Sequence, residues 1–141
     1  LIEAARVTKP GGLIAIFDGD YASVSFATGN LEADSEMVKA ILSTVVANPY
    51  VMREIPSLAQ KLGLNIVDFI PHVLAEAGVG SFFTGFAETY TPMAVKAGAL
   101  TESNAEKWLD TYRAASLNCR MFASCNFFSY LLRLNDNVLS Q

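Results

Sequence analysis

The chain has 141 residues, of which 52% are hydrophobic, and carries a net charge of −4. A chain of this length can bury a core, and its acidic balance, with ten scattered Lys and Arg residues, argues against nucleic acid as a direct partner. The longest uncharged runs, residues 40–52, 77–87 and 121–132, are shorter than the ~20 residues of a membrane-spanning helix. We therefore expect no membrane partner.

The hydrophobic content is high for a domain of this size. One explanation is a membrane protein. The other is that the chain is a piece of a larger core, whose apolar faces would pack against strands absent from this sequence. The short uncharged runs favour the second. Leu1-Ile2-Glu3 lacks the basic and apolar regions of a signal peptide, so we expect a cytoplasmic location.

Cysteine and histidine give no pattern of a metal site. Cys119 and Cys125 lie six residues apart, which is not a zinc spacing, and His72 is the single histidine. We expect no metal ion, and we interpret both cysteines as buried thiols in a reducing compartment.

The first elements are a helix end, a tight turn and a buried strand. Leu1–Thr8 reads as the end of a helix, because Pro10 cannot continue it. Gly11-Gly12 allows a reversal, and Leu13–Phe17 is apolar without alternation, which indicates a strand covered on both faces. This order predicts a parallel α/β sheet.

Residues 18–30 read as a loop beyond the end of that strand, where open parallel sheets bind ligands. Asp18 and Asp20 are candidates for substrate contact, although acids here also often cap the following loop. Tyr21 is a candidate wall of the substrate pocket or a half-buried core residue.

Two helices are predicted next. Asp34 or Ser35 would cap a helix running to about Ala47, and a second helix would begin near Pro56, which suits a first turn. Gly63 would be its C-terminal cap. Between them, Arg53 would bind an anion or, more simply, pair with Glu54 or another acid.

A β-prone segment follows these helices. Leu64–Leu74 reads as a strand, and Pro71 fits an edge or an irregular end better than a centre. His72 is a candidate general base, although a lone histidine is more often structural.

Aromatic residues dominate the next segment. Phe82 and Phe86 belong to a series at helical spacing that is most simply core, with a substrate lid as the alternative. Pro92 should break or kink this helix.

Thr101 would cap a further helix with Trp108 on its buried side, and residues 126–134 read as the last strand.

Two stretches carry a resemblance to a known family. Residues 3–20, EAARVTKPGGLIAIFDGD, resemble the turn before the fifth strand of class I S-adenosylmethionine-dependent methyltransferases of the small-molecule kind. Residues 100–135 resemble the closing helix and last strand of such enzymes. The resemblance implies the C-terminal part of a Rossmann-like three-layer sandwich, with inserted helices and without its first strands.

By this resemblance the chain is the C-terminal portion of one domain. Residues 1–30 hold the helix end, turn, strand and loop, residues 31–63 the helices, and residues 64–134 a strand, inserted helices and the last strand. The chain would be a fragment that shapes the pocket for a small-molecule methyl acceptor. S-adenosylmethionine would be the cofactor of the full-length enzyme, bound by a Gly-rich loop that this sequence lacks, so no cofactor residue is expected here.

Two alternatives belong to other classes. One is another Rossmann-like enzyme such as a dehydrogenase, but none of the five tyrosines is followed by Lys four residues later. The other is a non-catalytic α/β binding or interaction module. Methyl transfer needs no compulsory catalytic motif, because the enzyme mainly positions the acceptor and excludes water.

Overall fold

The computed structural model describes residues 1–135. In chain order the elements are α1 (Ile2–Val7), β1 (Leu13–Ala27), α2 (Leu31–Thr44), α3 (Val51–Lys61), β2 (Leu64–Gly78), α4 (Phe82–Lys96), α5 (Glu102–Leu117) and β3 (Met121–Leu134). The chain divides into two compact units. The first unit comprises Leu1–Asp20, Tyr50–His72 and Asn126–Gln141, described as far as Asn135, and the second unit comprises Tyr21–Pro49 and Val73–Cys125.

The three strands form one antiparallel sheet in the order β1-β3-β2. The amide of Leu134 donates to the carbonyl of Gly12 (3.0 Å), and the amide of Asn135 donates to that of Gly63 (3.3 Å). The starts of β1 and β2 therefore both lie beside the end of β3. The α/β class is confirmed, and β1 pairs antiparallel with the last strand, which is the pairing that the resemblance implies. The parallel arrangement predicted from the opening segment is not found among the three described strands.

The turn between α1 and β1 follows the sequence prediction. Helix α1 ends at Val7, and Thr8 is already extended (ψ 134°). Gly11 has a φ of +70°, which favours glycine, and its amide donates to the carbonyl of Leu134 (3.0 Å). A Cβ on Gly12 would lie 2.7 Å from the carbonyl oxygen of Lys9. Both glycines are therefore needed for this reversal.

The core of the first unit lies on one face of the sheet. Residues of α1 and α3 pack against it, and the buried members are Ile14, Met52, Ile55, Ala59, Leu64, Tyr130, Leu132 and Leu134. Alternate residues on β1 point the other way, so Leu13 and Phe17 are 53% and 64% exposed. Strand β2 is an edge strand, which confirms the position expected for Pro71.

The core of the second unit is aromatic. Helices α2, α4 and α5 pack together, and the ring of Phe26 lies 5.1 Å from that of Trp108 and 5.9 Å from that of Tyr112. Phe83 and Phe86 of α4 complete this group, each with its ring centroid 6.1 Å from that of Phe26. The buried side predicted for α5 is confirmed at Trp108.

Strand β1 is longer than expected, and β3 begins earlier. The predicted loop over residues 18–30 is wrong, because β1 runs to Ala27. The last strand begins at Met121 rather than at residue 126. Burial alternates over residues 23–27 of β1 and residues 121–125 of β3, so pairing across the sheet prevails over the Gly, Ser and Asp residues that suggested a loop.

The observed cap of α5 agrees with the sequence prediction, and that of α2 does not. Thr101 caps α5 by accepting from the amide of Asn104, as expected. The cap of α2 is Asn30 rather than Asp34 or Ser35, because Asp34 is drawn into the interior. Helix α4 continues through Pro92 to Lys96, so the expected break there is wrong.

Helix α3 begins at Val51, so Pro56 lies inside it rather than in its first turn. Proline has no N–H, which leaves the carbonyl of Met52, four residues earlier, without its helical donor. The buried hydroxyl of Tyr130 donates to that carbonyl at 3.1 Å. A side chain of β3 therefore replaces the bond that Pro56 removes.

We expect Tyr130→Phe to lower the free energy of unfolding by about 1–2 kcal/mol, because it leaves a buried carbonyl unpaired. In a Pro56→Ala background, where the introduced alanine supplies the missing N–H, the same change should cost less than about 0.5 kcal/mol. Urea titrations of the four proteins provide this comparison. Equal costs in the two backgrounds would show that the hydroxyl does not compensate for the proline.

Within residues 1–135, every helix is too short or too polar to cross a lipid bilayer.

Candidate functional site

The residues predicted to contact substrate fall in both units. Asp18, Asp20 and His72 belong to the first unit, whereas Tyr21, Phe82 and Phe86 belong to the second.

Asp20 and Arg53 form a bidentate ion pair in the first unit. The carboxylate of Asp20 accepts from Nε and Nη2 of Arg53, at 2.8 Å in each case. The side chain of Asp20 is 4% exposed, and that of Arg53 is 51% exposed. The hydrogen bonds with Asp20 raise the pKa of Arg53, so the guanidinium is charged throughout the accessible pH range. The predicted pairing of Arg53 with an acid is confirmed.

Asp18 and His72 are exposed side chains of the two edge strands. Oδ1 of Asp18 accepts from the amide of Gly19 at 2.7 Å, which is a local contact. Nε2 of His72 lies 3.0 Å from Oγ of Ser129, and its ring meets that of Phe17 edge-on at 5.8 Å. A hydrogen bond of this kind orients an imidazole, as a general base requires.

A shallow cleft lies on the sheet in the same unit. Its volume is about 320 Å³, and its lining includes Phe17, Ile70, Ser129 and Leu131. Ser129 therefore touches both the cleft and His72. The arrangement can hold a small apolar group near one imidazole.

In the second unit the structure brings Tyr21 and Phe86 together. Their rings stack with centroids 6.3 Å apart, and the ring of Phe86 stacks on Tyr90 at 4.3 Å. Tyr21 is half-buried and Phe86 is 7% exposed. This aromatic stack is defined as Tyr21, Phe86 and Tyr90, and its middle member Phe86 also packs against Phe26 in the core of the unit.

Phe82 stands at the start of α4, 47% exposed, with its ring edge-on to Phe83 at 5.2 Å. The carboxylate of Glu76 accepts from the amides of Phe82 (2.9 Å) and Phe83 (3.0 Å), and from Ser81. Burial alone would raise the pKa of Glu76, but these hydrogen bonds outweigh it, and the pKa lies below its usual value. Ionised Glu76 therefore anchors the helix that carries Phe82 and Phe86.

Asp34 is a second acid whose role the sequence did not reveal. It is 3% exposed and accepts from the amide and hydroxyl of Thr28 and from Nε1 of Trp108, each at 2.9 Å. It therefore joins α2 and α5 to the end of β1. The available signal was Asn30, a strong N-cap residue, which would have placed Asp34 inside the helix.

The cysteines differ from expectation. Neither forms a disulfide, and Cys119 is exposed whereas Cys125 is buried. Cys119 lies in the turn before β3 with a φ of +54°. Within residues 1–135 no three His, Cys, Asp or Glu side chains are grouped so as to hold a metal ion, and the absence of a metal stays a prediction.

Comparison with known proteins shows a distant relationship. No known family profile matches the chain. It is 28% identical over 112 residues to the "uncharacterized 37.1 kDa protein in transposon TN4556" of Streptomyces fradiae. The match covers 78% of this chain and 32% of the relative, so the chain spans about a third of the length of that protein.

Proposed function

We propose that this chain is the C-terminal, acceptor-side part of a class I S-adenosylmethionine-dependent methyltransferase that acts on a small molecule in the cytoplasm. One observation carries the proposal. The strand after the Pro-Gly-Gly turn pairs with the last strand of the chain, which runs antiparallel to it, as in the family that the sequence resembles. Gly11 and Gly12 exchange hydrogen bonds with Leu134, so the turn itself contributes to this pairing.

Three further features support the proposal. One edge of β1 has no strand beside it within the described residues, where the fourth strand of a Rossmann-like sheet would pair. The far face of the sheet in the first unit exposes Phe17 and Leu13, where a second helical layer would pack. The relative extends well beyond the matched segment, which leaves space there for a cofactor-binding part.

The residues present do not fit the cofactor. Gly11 and Gly12 precede a strand rather than follow one. Gly80 precedes α4, but a Cβ there would lie 2.7 Å from Cε of Met121 and from the hydroxyl of Tyr112. Side chains thus fill the space that a nucleoside would need beside this glycine, so the proposal assigns S-adenosylmethionine to a preceding part of the enzyme.

The contribution of this chain would be to bind and orient the acceptor and to exclude water. Methyl transfer from a sulfonium is an in-line displacement, which depends on positioning. In the first unit, the cleft that Phe17, Ile70 and Ser129 line suits a small apolar acceptor. His72, oriented by Ser129 in the same unit, is the candidate to accept a proton from it.

We expect the chain alone not to bind S-adenosylmethionine with useful affinity. A polypeptide extended at its N-terminus by the upstream reading frame should bind it with a Kd on the order of 10 µM, about −7 kcal/mol. Titration calorimetry measures both, with ATP as a control for non-specific nucleotide binding. Micromolar binding by the chain alone would contradict the placement of the cofactor. Absence of binding by the extended polypeptide would contradict the methyltransferase.

A further inference from the structure

The pair formed by Asp20 and Arg53 is asymmetric in exposure. The side chain of Asp20 is 4% exposed, whereas that of Arg53 is 51% exposed. A buried carboxylate is costly unless it is paired and hydrogen-bonded. Its burial therefore fixes the position of the arginine, while half of the arginine side chain stays accessible to water.

Arg113 provides a reference within the same chain. Its side chain is 49% exposed, close to that of Arg53, but its partners Glu88 and Asp110 are themselves 47% and 79% exposed. Exposed pairs of this kind exchange freely with water and stabilise a fold little. Arg53 differs because its partner cannot move into solvent.

Contacts with Asp20 and Tyr50 define the plane of the Arg53 guanidinium. The bonds to Asp20 use Nε and Nη2, so Nη1 and the outer edge of the group point away from that carboxylate. The ring of Tyr50 lies 5.4 Å from the guanidinium carbon, at the distance of a cation–π contact. The group is thus held along one edge and on one face.

We propose that the outer edge of Arg53 binds the carboxylate of a small organic acid. A guanidinium presents five N–H donors in a planar fork and can hold one carboxylate on each of two edges. Asp20 occupies the first edge and is the positioning residue for Arg53. This inference rests on the proposed function in one respect: in a methyltransferase, the bound acid would be the methyl acceptor.

A carboxylate fits this site better than a phosphate. The outer edge is a planar pair of donors, which matches two coplanar oxygens. The neighbouring Glu54 is exposed and the chain has a net charge of −4, so a dianion meets more repulsion than a monoanion. The site also adjoins residues 18–30, the segment predicted to contact substrate, because Asp20 is part of that segment.

Ligand-observed ¹⁹F NMR on the full chain tests this site without any cofactor. The probe is 4-fluorobenzoate, compared with neutral 4-fluorobenzamide and with 4-fluorophenyl phosphate. We expect saturable binding of the benzoate, weaker binding of the phosphate and no binding of the benzamide. Arg53→Gln should weaken benzoate binding about tenfold or more, because two charge-assisted hydrogen bonds are lost. Arg53→Lys, which keeps the charge but not the fork, should weaken binding several-fold.

Arg113→Gln is the matched control and should change benzoate affinity by less than about twofold. Asp20→Asn should reduce the preference for benzoate over the phosphate, a ratio that a merely structural role would leave unchanged. Equal effects of Arg53→Gln and Arg113→Gln, equal binding of benzamide, or tighter binding of the phosphate would each overturn the carboxylate site. Circular dichroism of each variant verifies that it is folded.

The outcome is separable from that of the proposed function. Benzoate binding that depends on Arg53, without cofactor binding by the extended polypeptide, would leave the carboxylate site in place and remove the methyltransferase. Cofactor binding by the extended polypeptide, with benzoate binding unchanged by Arg53→Gln, would support the methyltransferase and remove the carboxylate site.

Discussion

Phe26→Ala should lower the free energy of unfolding of the second unit by about 3–5 kcal/mol, the usual cost of deleting a buried aromatic ring. Phe26 is 5% exposed, and four other rings surround it, with centroids 5.1 to 6.1 Å away. The truncation therefore leaves a cavity and removes several edge-to-face contacts at once. Trp108 is the single tryptophan, so its fluorescence during urea titration reports unfolding of this unit.

Phe82→Ala is the matched control, in the same unit and with the same change of side chain. Because Phe82 is 47% exposed, we expect a cost of about 1 kcal/mol, in line with the smaller area that it buries. A cost for Phe26→Ala no greater than that for Phe82→Ala would show that the ring cluster is not the core of the unit.

The second large effect concerns association of the chain on its own. On the proposed function, the sheet of the first unit lacks its neighbouring strand and one helical layer, and Phe17 and Ile70 are 64% and 47% exposed. Exposed strand edges and apolar patches promote association. Burying about 400 Å² of such surface contributes about 10 kcal/mol, against which stands the entropic cost of association. We expect light scattering to show oligomers, and the N-terminally extended polypeptide to be monodisperse.

A charge at the sheet should oppose this association. Ile70→Lys would place an ammonium in the contact and weaken association by about tenfold or more. Leu117→Lys is the control, because Leu117 is 85% exposed on α5 and outside the first unit. A monodisperse monomer of the unmodified chain, with a sharp thermal transition, would favour a self-sufficient small domain instead.

Features set by neighbouring residues were predictable from the sequence. The Pro-Gly-Gly turn follows from backbone constraints at three adjacent positions, and the cap at Thr101 from a hydroxyl near the amide of Asn104. Strand β2 was found with its start at Leu64, and Gly63 follows the end of α3 with a φ of +65°. Each feature depends on a few consecutive residues.

Features set by distant partners were not predictable in this way. Pro56 suggested a helix start, but it lies inside α3 and leaves the carbonyl of Met52 without its helical donor. The hydroxyl of Tyr130, 78 residues away from Met52, donates to that carbonyl. Asp34 looked like a cap, but its partner Trp108 is 74 residues away. A single sequence contains no periodicity that links such positions.

The candidate site shows the same limit. Asp18 and Asp20 were equivalent in the sequence, and only Asp20 has Arg53, 33 residues away, as its partner. Aromatic spacing did identify Phe86, whose stacking on Tyr21 depends on the fold. The types of residue in the site were therefore predictable, and their pairing was not.

The contrast between the two thiols makes the chain report on its own local opening. A thiol reagent can reach Cys119 in the native state, whereas Cys125, 2% exposed, reacts only when the start of β3 separates from its neighbours. In a Cys119→Ser background, the rate of modification of Cys125 relative to a free thiol gives the fraction of time that this strand is open. The second unit can thus be followed under native conditions, without denaturant or an added label.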